Sequence, residues 1–210
     1  CTAFPPTVSA AVIKWTPETG NWSDTSNWEG GALPSDADEA LVEGTTNKTL
    51  TVNGEFEINR FYFSQAGIKT VIGDGVKSDI VYNGQMGRAQ NSTVVLGDGI
   101  NELNITAKDT SDTNNYISGE LSKVTINEKV TITANRMILG NQYSDRATTV
   151  TINGGSIIIT GTNTSVSNNA SLLLGHWNAQ DVISSITLED GLLDVKEGLA
   201  LVGWSGQGRI

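Results

Sequence analysis

Carboxylates beside tryptophans are the first residues here that could do chemistry. Asp36, Asp38 and Glu39 follow closely on Trp22 and Trp28. Glycosidases work with two carboxyl groups, and indole faces stack on apolar ring surfaces such as those of sugars. The cluster therefore suits a glycan cleft. The competing reading is structural: Trp15, Trp22 and Trp28 close the end of a stack of strands, and the acids are solvated loop residues. The structural reading is preferred, because an open stack end exposes both apolar core and strand edges.

Other reactive groups are few. His176 is the single histidine. With no second histidine and one cysteine, a metal site of the zinc type has no ligand set, and His176 reads as a turn residue beside Trp177. No Gly-x-Ser-x-Gly elbow accompanies it. The two Gly-Asp-Gly stretches, at Asp74 and Asp98, could offer carboxylates to calcium. They lack the nine-residue calcium repeat of β-rolls, so they read as turns. No cofactor is expected, beyond weak calcium binding.

The single cysteine is Cys1, so no intrachain disulfide forms. In one reading Cys1 is the lipidated first residue of a mature bacterial lipoprotein, the only route to a membrane. In another, Val8, Ser9 and Ala10 form a signal-peptide cleavage site and the mature chain starts at Ala11. A cloning remnant is the third reading. The first two imply export.

The elements that must position these groups are strands. The chain has 210 residues, 38 % hydrophobic and 17 % charged, with 23 glycines. Thr, Val and Ile crowd the apolar runs, and these residues favour strands. Net charge is −10 and the pI about 4.4. Lys and Arg are scattered singly, which argues against a nucleic-acid partner. Residues 1–10 form an extended lead-in and residues 11–44 the Trp-rich cap. Within the cap, Ala11 to Trp15 and Glu39 to Val42 read as strands. From residue 45 to 210 short apolar runs alternate with Asn-Gly and Gly-Asp turns. Glu55 to Phe63 reads as one alternating strand, with Phe56, Ile58, Phe61 and Phe63 available to one face.

The last third shows a repeat. Ile138-Leu139-Gly140 and Leu173-Leu174-Gly175 stand thirty-five residues apart. Each is followed by a Thr/Ile-rich run ending in glycine, at Gly155 and Gly191. A third unit starts at Leu201, and Val95-Leu96-Gly97 reads as an earlier, diverged copy. The chain ends inside a unit, so a longer natural protein is expected. Stacking such units buries a continuous core. The expected fold is all-β, a right-handed parallel β-helix with a Trp-rich N-terminal cap. The alternative is a β-sandwich of hairpins, because Asn-Gly is also the strongest hairpin signal.

Trp15, Gly20-Asn21-Trp22, Asn27-Trp28, Pro34 and Asp38 to Val42 together resemble the N-terminal motif of large bacterial surface proteins similar to autotransporter passengers. Those proteins carry autotransporter-associated β-strand repeats, and the Leu-Gly units at 138–203 resemble them. The resemblance implies export, a β-solenoid and an adhesive or structural role at the cell surface, with no catalytic residue to carry over. Expected partners are copies of the chain or other surface proteins, and glycans on the alternative reading. A carbohydrate-binding module and a β-helical polysaccharide-degrading enzyme are the competing functions.

Overall fold

The computed structural model describes residues 10–114, 116–119, 123–140, 148–162, 170–175, 183–202 and 207–210. Its strands follow one another in coils. The first coil holds β1 (Val12–Lys14) and β2 (Thr19–Asn21), then two short 3-10 turns at Thr25–Asn27 and Glu29–Gly31. The next two hold β3 (Glu39–Val42) with β4 (Lys48–Ile58), and β5 (Arg60–Ser64) with β6 (Ile68–Tyr82). Two coils of three strands follow: β7 (Gln85–Gln90), β8 (Thr93–Leu96) and β9 (Leu103–Ala107), then β10 (Tyr116–Gly119), β11 (Lys123–Asn127) and β12 (Val130–Ala134). The last coils hold β13 (Arg136–Leu139) and β14 (Thr149–Ile159), β15 (Leu172–Leu174) and β16 (Ile183–Val195), and β17 (Ala200–Val202) with β18 (Gln207–Arg209).

Two long sheets result, and every ladder between these strands is parallel. The first runs β1-β3-β5-β7-β10-β13-β15-β17, in sequence order. The second has two limbs. β6 pairs β8 through Ile68 to Val71 and β9 through Asp79 to Tyr82. β14 rejoins the limbs, pairing both β11 and β12. This is the arrangement of a parallel β-solenoid with a three-sided coil.

Parallel register builds the core as columns, because side chains two apart share a face and identical positions stack. One column, from the first sheet, runs Ile13, Ala40, Phe61, Met86, Ile117, Met137, Leu172. The limbs supply Leu50, Val71, Leu96, Ile126, Ile152 and Phe56, Ile80, Ile105, Ile132, Ile157. Nearly all are buried. Each buried Leu, Ile or Phe contributes about 1.5–3 kcal/mol. Outside, Thr19, Thr49, Thr70, Val95, Thr125, Thr151 and Thr187 form the matching solvent-facing row.

The hairpin alternative fails at the asparagine-glycine steps. Asn53-Gly54 and Asn153-Gly154 lie inside β4 and β14, where the chain bends from one limb to the other and parallel pairing resumes beyond. Gly191 shows why glycine marks the bend: its φ is 103°, and a Cβ there would strike the Gly155 carbonyl of the coil below. The thirty-five-residue repeat is one coil, since Leu139 pairs Leu174. Coil length is not constant. Glu39 pairs Arg60 twenty-one residues on, and Tyr116 pairs Arg136 twenty residues on.

Two readings of the sequence are corrected. Val95-Leu96-Gly97 is no copy of the Leu-Gly mark: it belongs to the second sheet, whereas Leu139 and Leu174 belong to the first. Glu55 to Phe63 is not one strand. The chain turns at Asn59, whose N–H donates to the Asp38 carbonyl, leaving Phe56 and Phe61 on different sheets. In the third unit Leu201 and Val202 pair Leu173 and Leu174, while Gly203 and Trp204 lie outside the described residues.

Candidate functional site

The Trp-rich segment supplies β1 and β2 to the two sheets, and its loop folds back over them. The Asp24 carboxylate accepts from the Ser26 N–H at 3.0 Å and hydroxyl at 2.7 Å, starting the first 3-10 turn. The Asn27 amide donates to the Asn21 carbonyl, and it lies where a side chain on residue 20 would go, so any larger residue there would displace it. Asn53 of β4 receives the Ser23 N–H and donates to the Ser23 hydroxyl. In this loop Trp22 packs against Phe56 of β4 and Phe61 of β5.

There the three indoles pack on one another. Trp28 meets Trp15 at 5.2 Å and Trp22 at 4.9 Å, both edge to face. Trp22 stacks on Phe56 at 5.2 Å and meets Phe61 edge-on at 5.5 Å. Trp15, Trp22 and Trp28 are 2 %, 0 % and 2 % exposed. Their faces are therefore spent on each other and on the core, and none is turned to solvent for a sugar ring. The Trp28 Nε1–H donates to the Trp22 carbonyl at 2.9 Å, while the Trp15 and Trp22 indole N–H groups are buried without a hydrogen-bond partner. An antiparallel bridge joins Trp28 to Trp15, and the Thr16 N–H donates to the Asn27 carbonyl. The loop thus lies along β1, whose sheet partner on its other side is β3.

The neighbouring acids point to separate partners. Asp38 accepts from the Ser35 N–H and hydroxyl and from the Ala11 N–H. Against the opposing effect of partial burial, those bonds hold its carboxyl below the usual range. Glu39 pairs with Arg60 at 2.5 Å, and Asp36 is exposed. Asp74 accepts from the Val76 N–H, and Asp98 from the Ile100 and Asn101 N–H groups. Both are turn-forming carboxylates, as their sequence context indicates. Among the described residues no three His, Cys, Asp or Glu side chains gather as metal ligands. Cys1 and His176 lie outside the described residues.

Two groupings escaped the sequence. Lys48 and Lys69 occupy register-paired positions of β4 and β6 and are 7 % and 0 % exposed. The Lys48 ammonium donates to the Thr16 and Pro17 carbonyls. The Lys69 ammonium donates to Gly44, Ala66 and Thr46 at 2.6, 2.9 and 3.3 Å. Burial lowers both amines from their ordinary pKa, and Lys48 adds to the effect on Lys69. These are clamps on the loops at one corner of the coil. The second grouping stands on the outer face of the first sheet. The Tyr62 hydroxyl donates to Gln85 Oε1 at 2.8 Å, the Gln85 amide donates to the Ser118 hydroxyl, and the Arg136 guanidinium lies 4.8 Å over the Tyr116 ring. Their spacings of twenty to thirty-three residues look irregular in sequence, and only the strand register aligns them.

Comparison with known proteins found no matching family model, no matching curated protein and no matching solved structure.

Proposed function

We propose that this chain is a structural and adhesive module of an exported bacterial surface protein. It is a right-handed β-solenoid rod whose first coil is capped by Trp15, Trp22 and Trp28. The observation that carries the proposal is the set of apolar columns running in register from the first coil to β16. Such a body is stiff along its axis and uniform along its flanks, which suits a spacer that holds a contact surface away from a cell. The acidic charge and the resemblance in residues 13–42 support the same reading. Self-association belongs to it.

Protease shaving of intact cells producing the natural protein, probed with antibody to residues 48–82, tests the location. Loss of the signal from intact cells is expected, and full protection would overturn the surface role. Electron microscopy of the purified chain tests the association: rods longer than one copy are expected at high concentration, and single short rods at every concentration would remove it.

A further inference from the structure

The chain contains three Asn-Gly steps, at Asn53, Asn83 and Asn153. An asparagine followed by glycine is the most labile arrangement of this side chain, because glycine has no Cβ to shield its own nitrogen. The fold treats the three steps differently. Asn53 lies within β4; its Oδ1 accepts the Ser23 N–H at 3.0 Å and its Nδ2 donates to the Ser23 hydroxyl at 2.7 Å. Asn153 lies within β14, pairs Asn127 in one layer and Asp190 in the next, and donates its Nδ2 to Asn127 Oδ1 at 3.3 Å. Asn83 and Gly84 lie in the bend between β6 and β7, outside both strands, and Asn83 is exposed. Among the described residues no partner holds the Asn83 side-chain amide.

We propose that Asn83-Gly84 is a self-modifying site, at which the Gly84 backbone nitrogen attacks the Asn83 side-chain amide to form a succinimide that water opens to aspartate and isoaspartate. In the first step the bond from Gly84 N to Asn83 Cγ forms and the Cγ–Nδ2 bond breaks. Ammonia leaves, taking up the proton lost from Gly84 N. Water then adds across one of the two imide C–N bonds. Opening at Cγ gives aspartate, and opening at the main-chain carbonyl gives isoaspartate, which routes the backbone through one extra carbon.

The bend is pinned without engaging the reacting atoms. The Asn83 N–H donates to the Ile58 and Asn59 carbonyls at 3.0 and 3.2 Å, and the Gly84 carbonyl accepts the Tyr116 N–H at 3.1 Å. Those bonds tie the step to the coils before and after it, yet they use the N–H of one residue and the carbonyl of the other. Packing explains why glycine stands here: a Cβ on residue 84 would lie 3.0 Å from Asn59 Oδ1 and 3.1 Å from the Asn59 carbonyl. The close approach of two coils thus installs the labile pair, and strand pairing shields the other two.

This chemistry needs neither a partner nor a surface location. Peptide mapping by mass spectrometry would follow the three steps of the full chain at mildly alkaline pH, folded and in urea, reading the gain of about one mass unit when NH2 becomes OH. In the folded chain Asn83 should convert several-fold faster than Asn53 and Asn153, and in urea the three rates should converge. Hydroxylamine added to the folded chain should trap the succinimide and cut between Asn83 and Gly84. Folded-state conversion at Asn83 no faster than at the other two would overturn the proposal. So would the same rate order in urea, because sequence neighbours rather than the fold would then choose the site, and so would conversion at Asn83 with no cut by hydroxylamine.

Discussion

At the N-terminal end of the solenoid, Leu50 and Ile58 are fully buried beneath a coil whose three tryptophans are themselves sealed. At the other end Leu188 is half exposed, although it occupies the same column as Leu50. The residue types are alike and the environments are opposite. A parallel stack creates a core only between layers, so a layer without a strand neighbour exposes its apolar face unless something else covers it. At the first coil that cover is an aromatic loop bridged antiparallel to β1, which blunts both the apolar face and the strand edge.

Mutation should separate the two ends by several-fold. Trp22→Ala removes the ring that touches Trp28, Phe56 and Phe61 and should cost about 3–5 kcal/mol in urea unfolding. Leu188→Ala should cost about 0.5 kcal/mol or less, as at an exposed site. Equal costs would erase the distinction between the sealed tryptophan cluster and the exposed Leu188 position.

Between these extremes lie the lysine clamps beside the closed end. Lys69→Met leaves three carbonyls without their donor and should cost about 1–3 kcal/mol. Its pH dependence has a definite sign. Burial depresses the folded-state pKa of Lys48 and Lys69 below 10.5, so between the two values the unfolded chain binds more protons. This contribution to stability is complete above pH 10.5 and is lost as pH falls through the folded-state values. Denaturation midpoints taken across alkaline pH should show that rise, and Lys48→Met/Lys69→Met should flatten it.

On the acid side the order reverses. Asp24, Asp38, Asp74, Asp98 and Asp109 are held below 3.8 in the folded state by their turn hydrogen bonds. Their contribution is present above pH 3.8 and lost as pH falls through the lower folded values. Asp38→Asn should reduce that loss measurably in acid titrations followed by circular dichroism.

A small effect of the opposite sign is expected midway along the solenoid. A cavity of about 30 Å³ lies among Met86, Val94, Ile117, Met137 and Val150. Val94→Ile should fill part of it and raise stability by about 0.5–1 kcal/mol. A loss there would mean that the middle coils are as tightly packed as the Trp end.

Much of the architecture was legible. β3 was marked by its own residues, Glu39 to Val42, and the thirty-five-residue spacing of Leu139 and Leu174 is the pairing of adjacent coils. The Asn-Gly steps were legible as changes of direction, but a hairpin and a solenoid corner use the same positive-φ residues, so the parallel pairing beyond each step decides between them. For the candidate site, clustering of Trp15, Trp22 and Trp28 was visible, but their burial was not. A tryptophan in a turn-rich loop has the same letter whether its ring faces water or the core.

What the sequence by itself determined is the period-two alternation, the glycines at the bends and the aromatic-rich first coil, because each follows from local backbone and burial preferences. What only the tertiary structure decided is which residues share a row. Tyr116 and Arg136 came to lie side by side, and Lys48 and Lys69 became buried, because coils of unequal length are brought into register by backbone hydrogen bonding between strands. That register depends on pairings twenty to thirty-six residues apart, which no local pattern encodes.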